Sequence, residues 1–290
     1  MLLQQLTNGL TIGAIYAIVA LGYTLAYGIL GLINFSHGEI YMIGAFVSYF
    51  CISILGLHPI LSFLIALVFA GILGVVIELT AFRSIRNGAR SSQLISAIGV
   101  SIILQNSVML LGGSETKSYP NVIQNVAYEI QNVTISKVQI VILVVSVILM
   151  VLLYLLIYKS QIGIAIRATS MDQDMASLMG LPVNKIISIT FSVGSVLGAA
   201  AGILVGMYYN TLVYNMGSAM GLKAFVAAVL GGIGNIPGTM IGGILLGLSE
   251  SFGAVFISAK YKDAFAFIIL IIVLLFKPNG LFGKSEVEKV

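Results

Sequence analysis

The feature that most constrains this chain is a succession of apolar runs with only short polar breaks between them. They fall at residues 10–32, 40–55, 59–77, 94–111, 138–158, 186–208, 223–233, 239–256 and 264–276. Most are long enough to cross the ~30 Å hydrocarbon core of a bilayer as a helix. Hydrophobic residues make up 59% of the 290 and charged residues only 8%, a balance that excludes an ordinary soluble domain. In lipid every backbone polar group must be satisfied within the chain, so runs of this kind become helices. The expected fold is all-α, a polytopic transmembrane helical bundle of about 8–10 membrane segments in a single domain over 1–290. Its 32 glycines suit helices whose backbones approach closely. The polar residues at 1–8 include no basic cluster, so the first run is expected to be retained as a span rather than cleaved as a signal.

The arginines set the expected orientation. Arg83, Arg86 and Arg90 share one short loop, and Arg167 lies with Lys159 and Lys185 in another. Positive residues favour the cytoplasmic side, and the two crossings between these loops agree with a common side. The segment 159–185 is therefore expected to be cytoplasmic and 112–137 extracytoplasmic. Alternating Val and Ile in that outer loop could form short strands. The tail, with Lys277, Lys284 and Lys289, points to a cytoplasmic C-terminus, provided that 223–233 counts as a crossing. That run is short and could instead be a re-entrant half-helix lining a cavity. Leu30-Gly31-Leu-Ile33 with Gly38 resembles Leu230-Gly231-Gly-Ile233 with Gly238, which leaves related halves or chance as readings.

Enzymatic constellations are wanting. Gly280-Leu-Phe-Gly283-Lys284-Ser285 has Pro278 where a phosphate loop needs its leading glycine, and no strand–loop–helix pattern surrounds it. The lone Cys51 and the two histidines, His37 and His58, suggest neither a disulfide nor a metal centre. The net charge of +4 is spread over loops, so nucleic acid is not an expected partner. Asn132-Val-Thr134 is a glycosylation sequon by spelling only. No catalytic residue, metal or cofactor is therefore expected. Polar groups at membrane depth are the remaining candidates, because burying them is costly and they tend to line pathways. These are Asn34, Ser36, His37 and Glu39, then Glu78, Gln105 with Asn106, and Glu250 in Leu-Ser-Glu-Ser-Phe. Glu39 and Glu78 read equally as interfacial residues at helix ends, and Glu250 as a structural hydrogen-bonding group.

The loop 159–185 holds one further feature. Ser170 with Gln173 three residues on spells a capping box. Asp172 and Asp174 suit the first turn of a helix, and Gly180 and Pro182 suit its end. Met171, Met175, Leu178 and Met179 share one face. A Met-rich amphipathic helix of about three turns is expected here. It serves either as a surface helix of the bundle or as a docking helix for a partner, since Met adapts to grooves.

Four stretches, in order along nearly the whole chain, resemble the branched-chain amino acid ABC permeases of the LivH branch. They are Gly31-Leu-Ile-Asn-Phe-Ser-His-Gly-Glu-Ile-Tyr-Met-Ile-Gly44, Leu94-Ile-Ser-Ala-Ile-Gly-Val-Ser-Ile-Ile-Leu-Gln-Asn106, Lys223-Ala-Phe-Val-Ala-Ala-Val-Leu-Gly-Gly-Ile-Gly-Asn-Ile-Pro-Gly-Thr-Met-Ile-Gly-Gly243, and Lys277-Pro-Asn-Gly-Leu-Phe-Gly-Lys284. The resemblance implies a permease subunit in a bacterial inner membrane, importing Leu, Ile or Val. It implies a second, related permease, two cytoplasmic ATPase subunits and an extracytoplasmic substrate-binding protein as partners, besides membrane lipid. It makes 171–181 the coupling helix, with Gly180 at the motif glycine, although Asp174-Met-Ala176 departs from the family's Glu-Ala-Ala spelling. Another small solute (urea, a different amino acid, a simple sugar) is the nearest alternative. An ion-coupled secondary transporter, with Glu250 as ion site, is a further one.

Overall fold

The computed structural model describes residues 2–31, 34–86, 88–123, 126–130 and 133–283. Ile33, Asn132, Lys284 and Lys289 lie outside them. The described chain is an all-α bundle. Six helices are long and apolar enough to cross a membrane. They are α1 (Leu2–Leu30), α3 (Pro59–Ile77, extended by a π turn and a 3-10 turn to Ile85), α4 (Arg90–Gly112), α5 (Lys137–Lys159), α8 (Val183–Tyr209) and α10 (Ile236–Phe256). Three shorter helices correspond to the remaining apolar runs: α2 (His37–Ser53), α9 (Met216–Gly231) and α11 (Lys262–Phe276). Two more, α6 (Gln161–Met171) and α7 (Gln173–Leu178), lie in the polar segment 159–185.

The most buried helix is α1, with 83% of its apolar stretch inside the bundle, against 6% for α4. Burial on this scale needs small residues. Gly9 and Gly13 let α10 approach at Leu248 and Ile244, and Gly243 and Gly247 return the contact against Ala17 and Gly13. The two helices run antiparallel, with Thr24 Oγ1 2.7 Å from Thr239 Oγ1 at one end and Ser251 Oγ 2.9 Å from the Gln5 carbonyl at the other.

The ends of the bundle are now fixed by contacts. At one end Arg86 Nη2 donates to Asn184 Oδ1 at 2.9 Å, joining the two arginine-bearing loops. Gln173 Nε2 there donates to the carbonyl of Ile29 at 2.8 Å. Glu78, buried in the π turn, accepts from Arg83 through both oxygens at 3.0 and 2.7 Å and from Ser188 Oγ at 2.7 Å. The tail returns to this arginine end, where the Leu281 and Phe282 amides donate to Leu230 and Gly231 of α9. At the opposite end Gln4 exchanges two hydrogen bonds with Thr134. The strands gather there. The segment 112–137 forms the hairpin β2 (Ala127–Ile130) and β3 (Val133–Ser136), while β1 (Lys117–Ser118) pairs antiparallel with β4 (Thr211–Leu212). Ser136 and Gln139 make a reciprocal capping box that starts α5.

Two expectations need revision. First, the helix expected at 171–181 is broken. Asp172 sits in an extended conformation, ends α6 and caps α7 by accepting from the Met175 amide at 2.9 Å. Ser170 is instead in the last turn of α6, its hydroxyl donating to the carbonyl of Arg167. The Ser170–Gln173 capping box is thus absent, because the neighbouring Asp172 takes the cap, and α7 has only six residues. Second, the runs read as starting at Ile40 and Lys223 belong to helices that start earlier, at His37 and Met216, inside the bundle. The His37 ring occupies the space a Cβ at Gly22 or Gly198 would need, and Gly38 lies against Gly217 and Gly221. The starts of α2 and α9 therefore meet between α1 and α8, as expected for broken helices. The similar stretches after Leu30 and Leu230 do different work. The first leads into this buried start. The second makes a tight link with positive φ at Gly232 and Gly234, across which Gly231 abuts Gly238.

Candidate functional site

Two buried polar clusters lie on either side of α9. The first surrounds Glu250, which α10 presents to α1 on the same face as Gly243 and Gly247. Glu250 is wholly buried. Its Oε2 accepts from the Tyr16 hydroxyl at 2.7 Å, and its Oε1 lies 3.0 Å from Lys223 Nζ. Lys223 also pairs with Asp263 Oδ1 at 2.5 Å, and Lys262 Nζ stands 3.7 Å from Glu250 Oε2. Four helices thus meet at two lysines and two carboxylates of zero summed charge. A carboxylate at this depth is tolerable only because its partners come with it. The cluster borders a cavity of about 260 Å³ whose lining includes Tyr16, Lys223, Lys262 and Asp263 together with Ile12, Ile15, Val205 and Met220. Thr211 of β4 also lines it, so the cavity belongs to the strand end of the bundle.

The second cluster lies at the start of α2. Asn34 Oδ1 accepts from the Ser36 amide at 3.1 Å and from its hydroxyl at 2.5 Å, which shapes the turn into the helix. His37 packs edge-on against Tyr23, ring centroids 4.8 Å apart. Glu39 Oε1 accepts from Ser101 Oγ at 3.1 Å, while its Oε2 points at Gly217 in the first turn of α9. The amide end of α9 there favours a negative charge. Asn34, Ser36, His37 and Glu39 are all buried.

The structure therefore brings Asn34, Ser36, His37 and Glu39 together, and places Glu250 in a separate cluster. Gln105 and Asn106 join neither. Asn106 is exposed, with its amide turned back to the carbonyl of Ile102 at 2.8 Å, and Gln105 is half-buried one turn beyond Ser101. The residue of α4 that does reach Glu39 is Ser101. Tyr16, Ser101, Lys223, Lys262 and Asp263 are members of these clusters that no sequence pattern marks as site residues. Lys223 stands at the edge of its apolar run and reads as a boundary charge, yet α9 begins at Met216 and carries it inside.

At the arginine end, Met171, Met175, Leu178 and Met179 are between 61% and 88% exposed. Ala176 is the buried residue of α7. Gly180 adopts φ +82°, and the Leu181 amide closes back on the Ala176 carbonyl at 3.0 Å, a left-handed helix end of the kind glycine permits. These apolar side chains are thus held on the end of the bundle with nothing among the described residues covering them.

Comparison with known proteins fits this arrangement. The PsaBC protein of Streptococcus pneumoniae, solved in complex with a Fab, shares the fold with a TM-score of 0.50 and 15% identity, over 95% of this chain and 92% of that one. The high-affinity branched-chain amino acid transport system permease protein BraD of Pseudomonas aeruginosa is 46% identical, covering 99% of this chain and 98% of the relative. The corresponding LivH of Escherichia coli K12 is 44% identical over 99% and 97%. Residues 5–274 match the family described as the permease component of the branched-chain amino acid transport system, and the chain belongs to that family.

Proposed function

We propose that this chain is one of two permease subunits of an ATP-driven importer of leucine, isoleucine and valine. Two ATPase subunits dock at the arginine end, and a binding protein delivers substrate at the strand end. The observation that carries the ATPase part is the exposure of Met171 at the end of α6 and of Met175, Leu178 and Met179 on and just after α7, held by the Asp172 cap and the Gly180 end. Methionines with three rotatable bonds suit a groove that moves relative to them. The exposed length of α4 leaves a surface for lipid or for the second permease. Substrate passage follows the polar groups that α1 brings together, the Glu250 cluster toward the strand end and the Asn34–Glu39 cluster deeper in. Glu39 and His37 sit where the starts of α2 and α9 meet, the kind of junction at which transporters bind solutes. Alternating access then requires two packings of these helices that the ATPases bias through α7.

The subunit purified with its partners, and reconstituted with the binding protein, is expected to import leucine only while ATP is present inside. Uptake that survives ATP removal and collapses with an ion gradient refutes this reading and favours a secondary transporter. Orientation is checked separately. In a Cys51→Ser background, Glu115→Cys is expected to react with a membrane-impermeant thiol reagent on intact cells and Ser177→Cys only after lysis. The reverse pattern overturns the sidedness.

A further inference from the structure

We propose that the cavity beside Glu250 is a binding station for a zwitterionic aliphatic amino acid, with Lys262 taking the carboxylate and Asp263 the ammonium. This rests on the reading of the chain as an amino acid permease and names the groups that would do the recognising. Glu250 itself is already engaged, since Tyr16 and Lys223 take one oxygen each. It holds Lys223 in place. The two groups at the mouth are differently situated. Asp263 is 72% exposed at its side chain and has Lys223 as its partner, leaving acceptor positions open. Lys262 is 27% exposed and stands 3.7 Å from Glu250, beyond hydrogen-bonding distance, so its three donors remain available.

Charge selects the ligand class. Two lysines and two carboxylates cancel, so an isolated cation or anion would leave the buried cluster unbalanced, whereas a zwitterion adds one of each sign. Ile12, Ile15, Val205 and Met220 of the cavity lining offer apolar surface for an aliphatic side chain, beside the hydroxyl-bearing Tyr41, Tyr209 and Thr211. Size agrees: a cavity of roughly 150 Å³ admits benzene, and this one is about 260 Å³.

The test uses membranes holding the assembled complex, with Ala219→Cys, an exposed residue that lines the cavity, in a Cys51→Ser background. Leucine is expected to slow labelling by N-ethylmaleimide roughly tenfold when about nine-tenths of the sites are filled. Leucinol, which lacks the carboxylate, and 4-methylpentanoate, which lacks the ammonium, should not protect at the same concentration. Ser177→Cys, outside the cavity, should be unaffected by any of them. Lys262→Gln and Asp263→Asn should each abolish protection, read as the ratio of labelling rates with and without leucine in the same variant. Equal protection by leucine and leucinol, or protection that persists in both variants, overturns the proposal. Normal ATP-driven leucine uptake with no protection refutes the cavity alone. Protection by a different amino acid, in a complex that does not import leucine, refutes the branched-chain substrate and supports the cavity.

Discussion

Replacing Lys223 with methionine is expected to destabilise the subunit by about 3–5 kcal/mol, the usual consequence of removing one partner of a buried ion pair. Methionine fills a similar volume, so little of the effect comes from packing. What remains is the Glu250 carboxylate, wholly buried, with one tyrosine hydroxyl at 2.7 Å and a lysine no nearer than 3.7 Å. Asp263 also loses its partner, but its exposure makes that loss slight. A second change in the same chain, Glu250→Leu, should therefore restore most of the stability, because the uncompensated charge is gone. Denaturation midpoints of the detergent-purified complex measure both steps. A double variant as unstable as Lys223→Met would mean that the lysine acts through something other than this carboxylate.

How much of this was legible in the sequence depends on the range of the interaction. Runs of apolar residues fix which segments are membrane helices, and clustered arginines fix which loops share an end, as Arg86 and Asn184 show by touching. Glu250 stands out as a candidate because a carboxylate in an apolar run needs a reason. Its partners do not stand out, since Tyr16, Lys223 and Lys262 lie on three other helices and no spacing links them. Depth is similarly hidden. Hydropathy cannot tell that α2 and α9 start inside the bundle, because the cause is three-dimensional: glycines at 22, 38, 198, 217 and 221 open the room into which His37 and two helix starts fit. The misread cap has a local cause. Ser170 and Asp172 are both good N-cap residues, and the deciding fact is that α6 already occupies the backbone through Met171. A similar shift of one turn separates Gln105, the expected polar group of α4, from Ser101, which meets Glu39.

The largest functional effect is expected from Met175→Asp. Met175 is 61% exposed on α7, so the change should leave the fold and the pairing with the second permease intact. Under the docking proposed above, an ATPase covers the same position in the assembled importer, and an unpaired carboxylate buried there costs several kcal/mol, enough to weaken ATPase retention by more than about tenfold. ATP hydrolysis should persist in whatever complex forms while leucine uptake is lost. Gly180 probes the same element from its backbone. A Cβ there would meet no atom within 4 Å, so substitution is felt only through the left-handed conformation at φ +82°. Gly180→Asn should be tolerated and Gly180→Val should uncouple, since asparagine visits that region and a β-branched residue resists it by about 1–2 kcal/mol or more. Two results would detach α7 from the ATPases: normal uptake with full ATPase retention in Met175→Asp, or indistinguishable behaviour of the Asn and Val variants at 180. Either would return the exposed methionines to the role of a surface helix resting at the lipid boundary.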